Sequence, residues 1–264
     1  MGQNSKIEWC DHTVNLWWGC AKVHTGCKNC YAEFLSDTRY NNDLWGEKAG
    51  RRRIKSAFKV LWKVQCEAEV AGVRTRVFIG SMMDLFEAGK DLINPSGNWL
   101  TTHNMRMDLF REIDAGLYPN IIFLFLTKRP ELIPWAIPSS WKETPPSNVW
   151  FGTSLSDQET ADNIIYHMRF DGNKFLSVEP QVGSIDNIDL SGIKWVIQGG
   201  ESGPRKRPFD IEWAHKMRNI CADQKVPYFF KQIDKVQEIP AELMIRQIPK
   251  EFKSKIIQQQ SKIV

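Results

Sequence analysis

Six short apolar runs recur along the chain, and each of them ends in polar residues. They are rich in Val, Ile, Leu and Phe and cover residues 76–81, 121–127, 149–154, 174–179, 194–201 and 227–232. Runs with almost no polar alternation are typical of strands buried on both faces, so the pattern predicts a parallel sheet. Residues 13–20 (TVNLWWGC) are predicted to form a further strand that enters a cysteine-rich loop.

The segments between the runs have the apolar periodicity of helices. Residues 54–70 and 208–225 each place their apolar residues along one helical face. Residues 156–168 are predicted to form one helix that begins with a capping box of Ser156 and Glu159. The repeated strand–helix alternation predicts an α/β fold, either a (β/α) barrel, complete or incomplete, or a doubly wound open sheet.

The composition and the absence of a low-complexity linker favour one large domain. The 264-residue chain has no low-complexity linker, so residues 1–235 are predicted to form the barrel or sheet domain. Residues 236–264 are predicted to be a C-terminal extension that packs on the domain or trails from it. The N-terminus lacks the apolar region of a signal peptide, and no apolar run approaches a membrane span. We therefore expect a cytoplasmic protein without a membrane partner.

The cysteines give the most specific signal in the chain. Cys20, Cys27 and Cys30 are spaced C-x6-C-x2-C, and clustered cysteines in a reducing compartment indicate metal ligands before disulfides. Zinc is one possibility, with the fourth ligand supplied by His12, His24 or Cys10. A [4Fe–4S] cluster is the alternative that we favour, because three thiolates leave one iron open to S-adenosylmethionine. Cys66 and Cys221 lie on apolar helical faces and are predicted to be core residues.

Polar side chains end the predicted strands. Because the carboxyl ends of parallel strands meet at one edge, we expect these side chains to surround one site. Glu179 and Glu201 are carboxylates at the ends of neighbouring runs, and they would need basic partners when buried together. The strand-end residues and the available bases are Ser81, Asp84, Thr127, Lys128, Arg129, Thr153, Ser154, Ser177, Glu179, Gln198, Gly199, Gly200, Glu201, Arg205, Arg207, Lys231 and Gln232.

A basic run and a high tryptophan content point to an anionic or aromatic partner. Arg51, Arg52, Arg53 and Lys55 could bind phosphates, although such a run also suits a solvated helix start. The net charge is +4, and the chain contains 11 tryptophans. Aromatic side chains can stack on nucleic-acid bases.

Several motifs together resemble a known group of proteins. They are GCAKVHTGCKNCYAE, VFIGSMMDLFE, FLFLTKRPE, VWFGTSLSDQETAD, FLSVEP, WVIQGGESGPRKRP and VPYFFKQ. In this order, over residues 6–232, they resemble a phage-associated family of unknown function that is similar to the radical SAM superfamily and, within it, to spore photoproduct lyases. The resemblance implies an incomplete (β/α)6-type TIM-like barrel with parallel strands and outer helices, and a host cytoplasmic location if the protein is phage-encoded.

The resemblance also implies a cofactor and residue roles. It implies that Cys20, Cys27 and Cys30 hold the [4Fe–4S] cluster and that an external electron donor such as flavodoxin reduces it. On the same analogy and on the strand-end pattern, we expect Lys128, Glu179 and Glu201 to act in catalysis. The residues expected to bind S-adenosylmethionine are Tyr31, Ser81, Asp84, Ser154, Gly199 and Gly200.

One departure affects the cysteine motif. The first gap contains six residues, whereas the superfamily usually has C-x3-C-x2-C, so the ligand count is kept and the loop differs. The leading hypothesis is a radical SAM enzyme that abstracts hydrogen from a nucleobase-type substrate, a thymine derivative in DNA or in a nucleotide, for repair, isomerisation or hypermodification. The alternative is a zinc-stabilised nucleic-acid-binding protein, and a third possibility is a barrel that keeps the cluster as a structural element.

Overall fold

The six predicted strands are all present. The computed structural model describes residues 5–41, 43–93, 100–167 and 169–252. Its strands are β1 (His12–Val14), β2 (Trp17–Trp18), β3 (Arg51–Arg53), β4 (Thr75–Ile79), β5 (Leu92–Ile93), β6 (Ile121–Thr127), β7 (Val149–Ser154), β8 (Asn173–Val178), β9 (Trp195–Gly199) and β10 (Tyr228–Gln232). Each predicted run after residue 70 matches one strand to within a few residues.

Seven strands form one parallel sheet. Its order is β1-β4-β6-β7-β8-β9-β10, and every neighbouring pair is parallel. The order follows the chain without reversing, so the sheet lacks the switch point of a doubly wound fold. The sheet curls into a half-barrel, with β1 and β10 at its two edges. This confirms the predicted α/β fold, an incomplete TIM-like barrel of parallel strands with outer helices.

Helices flank the outer face of the sheet. They are α1 (Tyr31–Tyr40), α2 (Ala57–Val70), α3 (Thr102–Asp114), α4 (Ile133–Ala136), α5 (Gln158–Ala161), α6 (Ile164–His167) and α7 (Ile211–Asp223). The helices predicted over 54–70 and 208–225 are confirmed as α2 and α7. Both bury small or aliphatic residues of one face, among them Leu61 and Val64 of α2 and Met217 of α7.

The prediction of a single helix over 156–168 is wrong. Two short helices, α5 and α6, take its place, with turns at Asp162 and Asn163 between them. Asp and Asn compete for backbone hydrogen bonds and so interrupt helices. The capping box is also displaced, because Asp157 and Thr160 form it in place of Ser156 and Glu159. Met168, the last residue of the predicted helix, lies outside the described residues.

Both faces of the sheet are buried, as the continuous apolar runs predict. Along β6, Phe123 and Phe125 join the outer core under the helices, whereas Ile122 and Leu124 point into the half-barrel. The interior is filled by aromatic rings, and Trp195 packs edge-on against Phe252 at 5.3 Å between ring centroids. Close packing of this kind leaves no lumen along the barrel axis.

A glycine makes room for this interior packing. A Cβ atom at Gly152 of β7 would lie 2.2 Å from the ring of Phe175 on the neighbouring strand. That distance is far below a van der Waals contact, so the ring of Phe175 occupies the space that a side chain at Gly152 would need.

The C-terminal residues pack beneath the interior. Phe252 is buried against Trp150, with 4.7 Å between ring centroids. Trp195 donates from its indole nitrogen to the carbonyl oxygen of Gln247 at 3.0 Å. Of the extension predicted at 236–264, the part up to residue 252 therefore packs on the barrel, and residues 253–264 lie outside the described residues.

The basic run at 51–53 is part of a strand. β3 pairs with β2 and β5 in a separate three-stranded sheet. Arg51 is completely buried and forms two hydrogen bonds with Glu87, Nε to Oε2 at 2.8 Å and Nη2 to Oε1 at 2.6 Å. For Arg51, the predicted phosphate contact and the predicted solvated helix start are both wrong. Its guanidinium is buried and paired with Glu87, so it cannot face solvent or a phosphate.

None of the helices within the described ranges combines the length and the apolar character that crossing a bilayer would require.

We expect Glu87→Gln to lower the free energy of unfolding by about 3–5 kcal/mol, because it leaves the buried Arg51 without a counter-charge. Glu47→Gln is the matched control, since the Glu47 side chain is 73% exposed and pairs with Lys90 at 3.3 Å. Such an exposed pair contributes about 0–1 kcal/mol. Denaturant titration of the three proteins measures the difference, and equal losses in the two variants would contradict a buried pair at Arg51.

Candidate functional site

The strand-end residues and the cysteines line one cavity. It lies at the carboxyl ends of the parallel strands, the place where barrel enzymes carry their active sites. Of the twelve residues predicted for the site, eleven line the cavity: Cys20, Cys27, Cys30, Tyr31, Ser81, Asp84, Lys128, Ser154, Glu179, Gly200 and Glu201. Gly199 is buried just below, at the end of β9, where it faces Gln232.

The three cysteines lie in a loop, residues 20–30, that we call the cysteine loop. Cys20 follows β2, Cys27 ends a short 3-10 turn, and Cys30 is the N-cap of α1. Gly19 has a φ of 113°, and a Cβ atom there would lie 2.5 Å from the carbonyl oxygen of Leu44. A glycine before Cys20 therefore lets the chain turn tightly into the loop.

The other candidate zinc ligands do not line the cavity. Cys10 is buried in the aromatic interior of the barrel. His24 caps the 3-10 turn, and its Nδ1 accepts a hydrogen bond from the backbone N–H of Gly26 at 3.0 Å. Burial and the nearby ammonium of Lys128 lower the pKa of His24 to about 4, so the ring is neutral at physiological pH.

The cysteine thiols share a cavity wall without converging on one point. Across the part of the chain that the structure describes, no three His, Cys, Asp or Glu side chains are arranged so that together they could hold a metal ion. A single zinc ion requires ligands that meet at one point. The sulfurs that hold a cubane cluster bind different irons and do not meet. The three thiols in this wall are soft sulfur donors, the ligand type of both zinc sites and iron–sulfur clusters.

A buried ion pair adjoins the first cysteine. Arg129 donates from Nη1 to Oδ2 of Asp84 at 2.8 Å and lies 3.7 Å from Sγ of Cys20. Its Nη2 donates to the carbonyl oxygen of Ala21 at 2.8 Å. Both partners of the pair have side chains that are 7% exposed. One guanidinium thus fixes the start of the cysteine loop to the ends of β4 and β6.

Asp84 uses both carboxylate oxygens inside the protein. Oδ1 accepts from the hydroxyl of Thr127 at 2.7 Å and from the backbone N–H of Phe86 at 3.0 Å. Oδ2 accepts from the backbone N–H of Lys128 at 3.1 Å, in addition to Arg129. A carboxylate with four donors is a structural acceptor, so its contribution to the cavity is to fix the wall.

The charges beneath Cys20 are unbalanced. Arg51 and Arg129 contact Glu87, Arg129 pairs with Asp84, and the buried Arg106 donates to the carbonyl oxygen of Glu87 at 3.0 Å. Within this buried network three guanidinium groups face two carboxylates. An anionic sulfur at Cys20, beside Arg129, would supply the missing negative charge.

Without a metal, burial disfavours the thiolate form of Cys20. It raises the pKa of Cys20 to about 12, and the neighbouring carboxylate of Asp84 adds to the increase, whereas Arg129 opposes it. The free cysteine is therefore a neutral thiol at physiological pH. Metal binding would replace the proton, and the guanidinium would then neighbour a thiolate.

A second polar row crosses the cavity from β6 to β10. The ammonium of Lys128 donates to Oγ of Ser154 at 3.1 Å, and Ser154 donates to the carbonyl oxygen of Glu179 at 2.9 Å. The carboxylate of Glu179 accepts from Lys231. The predicted basic partner of Glu179 is thus confirmed as Lys231. The row thus contains two ammonium groups and one carboxylate, of which Lys231 and Glu179 are directly paired.

Glu201 is bound by Arg207, one of the bases that the sequence offered as partners. Arg207 donates from Nη2 to Oε1 at 2.6 Å and from Nε to Oε2 at 2.9 Å. Burial raises the pKa of Glu201, but the hydrogen bonds from Arg207 and Asn29 outweigh it and leave the pKa below its usual value. Lys206 pairs with Asp234 at 2.8 Å. Two of the three bases in this stretch are therefore used within the protein.

Tyr31 and Ser81 join the cysteine loop to β4. The hydroxyl of Tyr31 donates to the carbonyl oxygen of Ser81 at 2.7 Å. Oγ of Ser81 accepts from Nδ2 of Asn15 at 2.8 Å, and Oδ1 of Asn15 accepts from the backbone N–H of Met82 at 2.8 Å. These bonds order the turn after β4 beside the cavity.

The remaining wall is apolar and partly aromatic. One side is formed by Trp9 and Phe78, whose ring centroids lie 4.7 Å apart, together with Leu126. Trp45 and Met83 line another part. A cavity with flat apolar surfaces and a few convergent polar groups is the usual form of a small-molecule site.

Sequence analysis predicted no specific role for several residues that shape the site. Arg129 is one of the polar strand-end residues, directly after the run at 121–127, but its pairing with Asp84 was not predicted. Asn15 and Asn29 carried no signal, because a single amide side chain acquires a role only through its partners. Asn29 lies between Cys27 and Cys30, and its amide reaches Glu201, which is 172 residues away in the chain.

Comparison with known protein families identifies the family of this chain. The family model described as "Protein of unknown function (DUF5131)" matches residues 4–259, nearly the whole chain. No curated protein matches the chain, and no solved structure does. The family's description assigns it no activity. The chain belongs to the DUF5131 family of proteins of unknown function.

Proposed function

We propose that this protein is a radical SAM enzyme that acts on a nucleobase-type substrate. The observation that carries the proposal is the gathering of all three clustered cysteines into the same cavity as the polar ends of the barrel strands. The resemblance of the motifs to the radical SAM superfamily gives this arrangement its chemical interpretation. The proposed cluster ligands are Cys20, Cys27 and Cys30.

Each side of the cavity supports part of the proposal. The cysteine side offers soft sulfur donors next to the guanidinium of Arg129, which favours an anionic iron–sulfur group. A cluster held by these thiolates would supply one-electron reduction of S-adenosylmethionine, the chemistry by which the resembled superfamily abstracts hydrogen from a substrate. A one-electron reductant must be delivered from outside, and an electron-transfer protein such as flavodoxin is the proposed donor.

The protein's own residues would bind and orient S-adenosylmethionine and the substrate. The Lys128–Ser154–Glu179–Lys231 row presents both charge signs, and the methionine end of S-adenosylmethionine carries an amino group and a carboxylate. The apolar wall at Trp9 and Phe78 excludes water and offers flat surfaces to a ring. Together with the basic composition, this supports a nucleobase, in DNA or in a nucleotide, as the substrate class. A base in duplex DNA would have to leave the stack to enter the cavity.

Metal analysis after anaerobic purification and reconstitution tests the cluster. We expect a brown protein with about four irons per chain. We expect Cys27→Ala to lose most of the iron and the visible absorption, whereas Cys66→Ala, the matched control, keeps both. Cys66 lies on α2, outside the cavity. A colourless wild-type protein with one zinc per chain would contradict the proposal and favour a zinc-stabilised binding protein.

The interaction between Arg129 and Cys20 leads to a second prediction. We expect Arg129→Met to lower the reduction potential of the bound cluster, since it removes a positive charge and a hydrogen-bond donor that favour the reduced, more negative state. Arg129→Lys keeps the charge and should shift the potential less. Spectroscopic redox titration of the reconstituted proteins measures both shifts. Identical potentials in the three proteins would show that Arg129 does not act on the cluster.

A further inference from the structure

Two loops that are distant in sequence meet at the cavity mouth. The first is the cysteine loop, and the second, residues 200–210, follows β9 and is called the β9 loop. Asn29 of the cysteine loop donates from Nδ2 to Oε2 of Glu201 at 3.0 Å and to the carbonyl oxygen of Arg205 at 2.7 Å. Arg207 donates from Nη1 to the carbonyl oxygen of Thr25 at 3.1 Å.

Glu201 is the centre of this contact. Its carboxylate accepts from Nε and Nη2 of Arg207, from the backbone N–H of Arg207 at 2.9 Å, and from Asn29. The Glu201 side chain is 4% exposed. A buried carboxylate that holds four donors has little capacity to move a proton, whereas it is well suited to fixing the groups that donate to it.

A second contact holds the same part of the loop from β7. Thr25 donates from its hydroxyl to Oδ2 of Asp157 at 2.7 Å. The other oxygen, Oδ1, accepts from the backbone N–H of Thr160 at 2.9 Å and so begins α5. Residues 25–29 are therefore attached to the ends of both β7 and β9.

The cysteine loop needs such attachments because its own secondary structure is weak. Cys27 lies in a three-residue 3-10 turn, and Cys30 precedes the first turn of α1. Isolated turns of this length are not stable alone. The position of Cys27 thus depends on contacts from outside the loop.

We propose that Glu201 is a positioning residue for the cysteine loop and that with Asn29 and Arg207 it forms a clasp which keeps Cys27 at the cavity wall. This assigns Glu201 a role different from the catalytic one expected from the sequence. The inference deepens the proposed function, because the clasp positions the proposed cluster ligands. Its test requires no metal.

Alkylation of the native, metal-free full-length protein tests the clasp. Iodoacetamide is added under native conditions, and the rate at each cysteine is followed by peptide mass spectrometry. Cys27 is 8% exposed, so its reaction requires local opening. We expect Asn29→Ala and Glu201→Gln to increase the Cys27 rate about tenfold, since a hydrogen bond to a charged group contributes enough to shift local opening by that factor.

Two controls separate the clasp from general loosening. Asp234→Asn weakens the other ion pair of the β9 loop, the one with Lys206, and should leave the Cys27 rate unchanged. Cys221, a buried residue of α7, should keep its wild-type rate in every variant and so report an intact fold. If Glu201→Gln does not fold, the Cys27 alkylation rate in Asn29→Ala alone tests the clasp.

An unchanged Cys27 rate in Asn29→Ala would overturn the inference, and so would an equal acceleration in Asp234→Asn. These outcomes are independent of iron. A wild-type protein that binds no iron contradicts the proposed function and leaves the alkylation result as it stands. Accelerated alkylation with normal iron binding supports both proposals.

Discussion

The buried pair of Asp84 and Arg129 is the interaction on which the site depends. Asp84 lies in the segment after β4 and accepts hydrogen bonds from the end of β6, and Arg129 extends the connection to the carbonyl oxygen of Ala21 and the sulfur of Cys20. A buried ion pair adds little to stability against an apolar replacement, but breaking it leaves an unpaired charge inside the protein. The pair therefore fixes the geometry of the cysteine loop relative to the sheet. The excess positive charge around it is the physical reason to expect an anionic partner at Cys20.

The half-barrel explains why the cysteine loop needs a second attachment. The loop begins near β1, at one edge of the sheet, and its middle is held by residues that follow β7 and β9, towards the other edge. Hydrogen bonds between strands do not close this barrel, so side-chain bonds across the mouth connect its two sides. The aromatic interior, from Trp9 to Phe252, supports the same arrangement from below. The polar rows and the cysteines therefore lie together at the carboxyl end of the sheet.

The sequence predicted the strands and the convergence of their ends, because both follow from local patterns. Continuous apolar runs define doubly buried strands, and parallel strands necessarily bring Lys128, Ser154 and Glu179 to one edge. It predicted the basic partners of Glu179 and Glu201 only as a set, since pairing depends on side-chain geometry. The prediction of one helix over 156–168 was wrong because Asp162 and Asn163, which favour turns, outweighed the apolar periodicity of the segment. The prediction for Arg51 was wrong because a charged residue among other charged residues is usually exposed to solvent. Its buried partner, Glu87, is distant in the chain and gave no local signal.

The proposed function requires this cavity to cleave S-adenosylmethionine with an electron from a cluster held by the cysteine loop. Formation of 5′-deoxyadenosine by the anaerobically reconstituted protein, in the presence of a one-electron reductant, tests this requirement. We expect 5′-deoxyadenosine from the wild-type protein and none from Cys27→Ala. With labelled deoxynucleosides present, label in the product would identify the substrate. A wild-type protein that carries the full cluster and still yields no 5′-deoxyadenosine would contradict the proposed function.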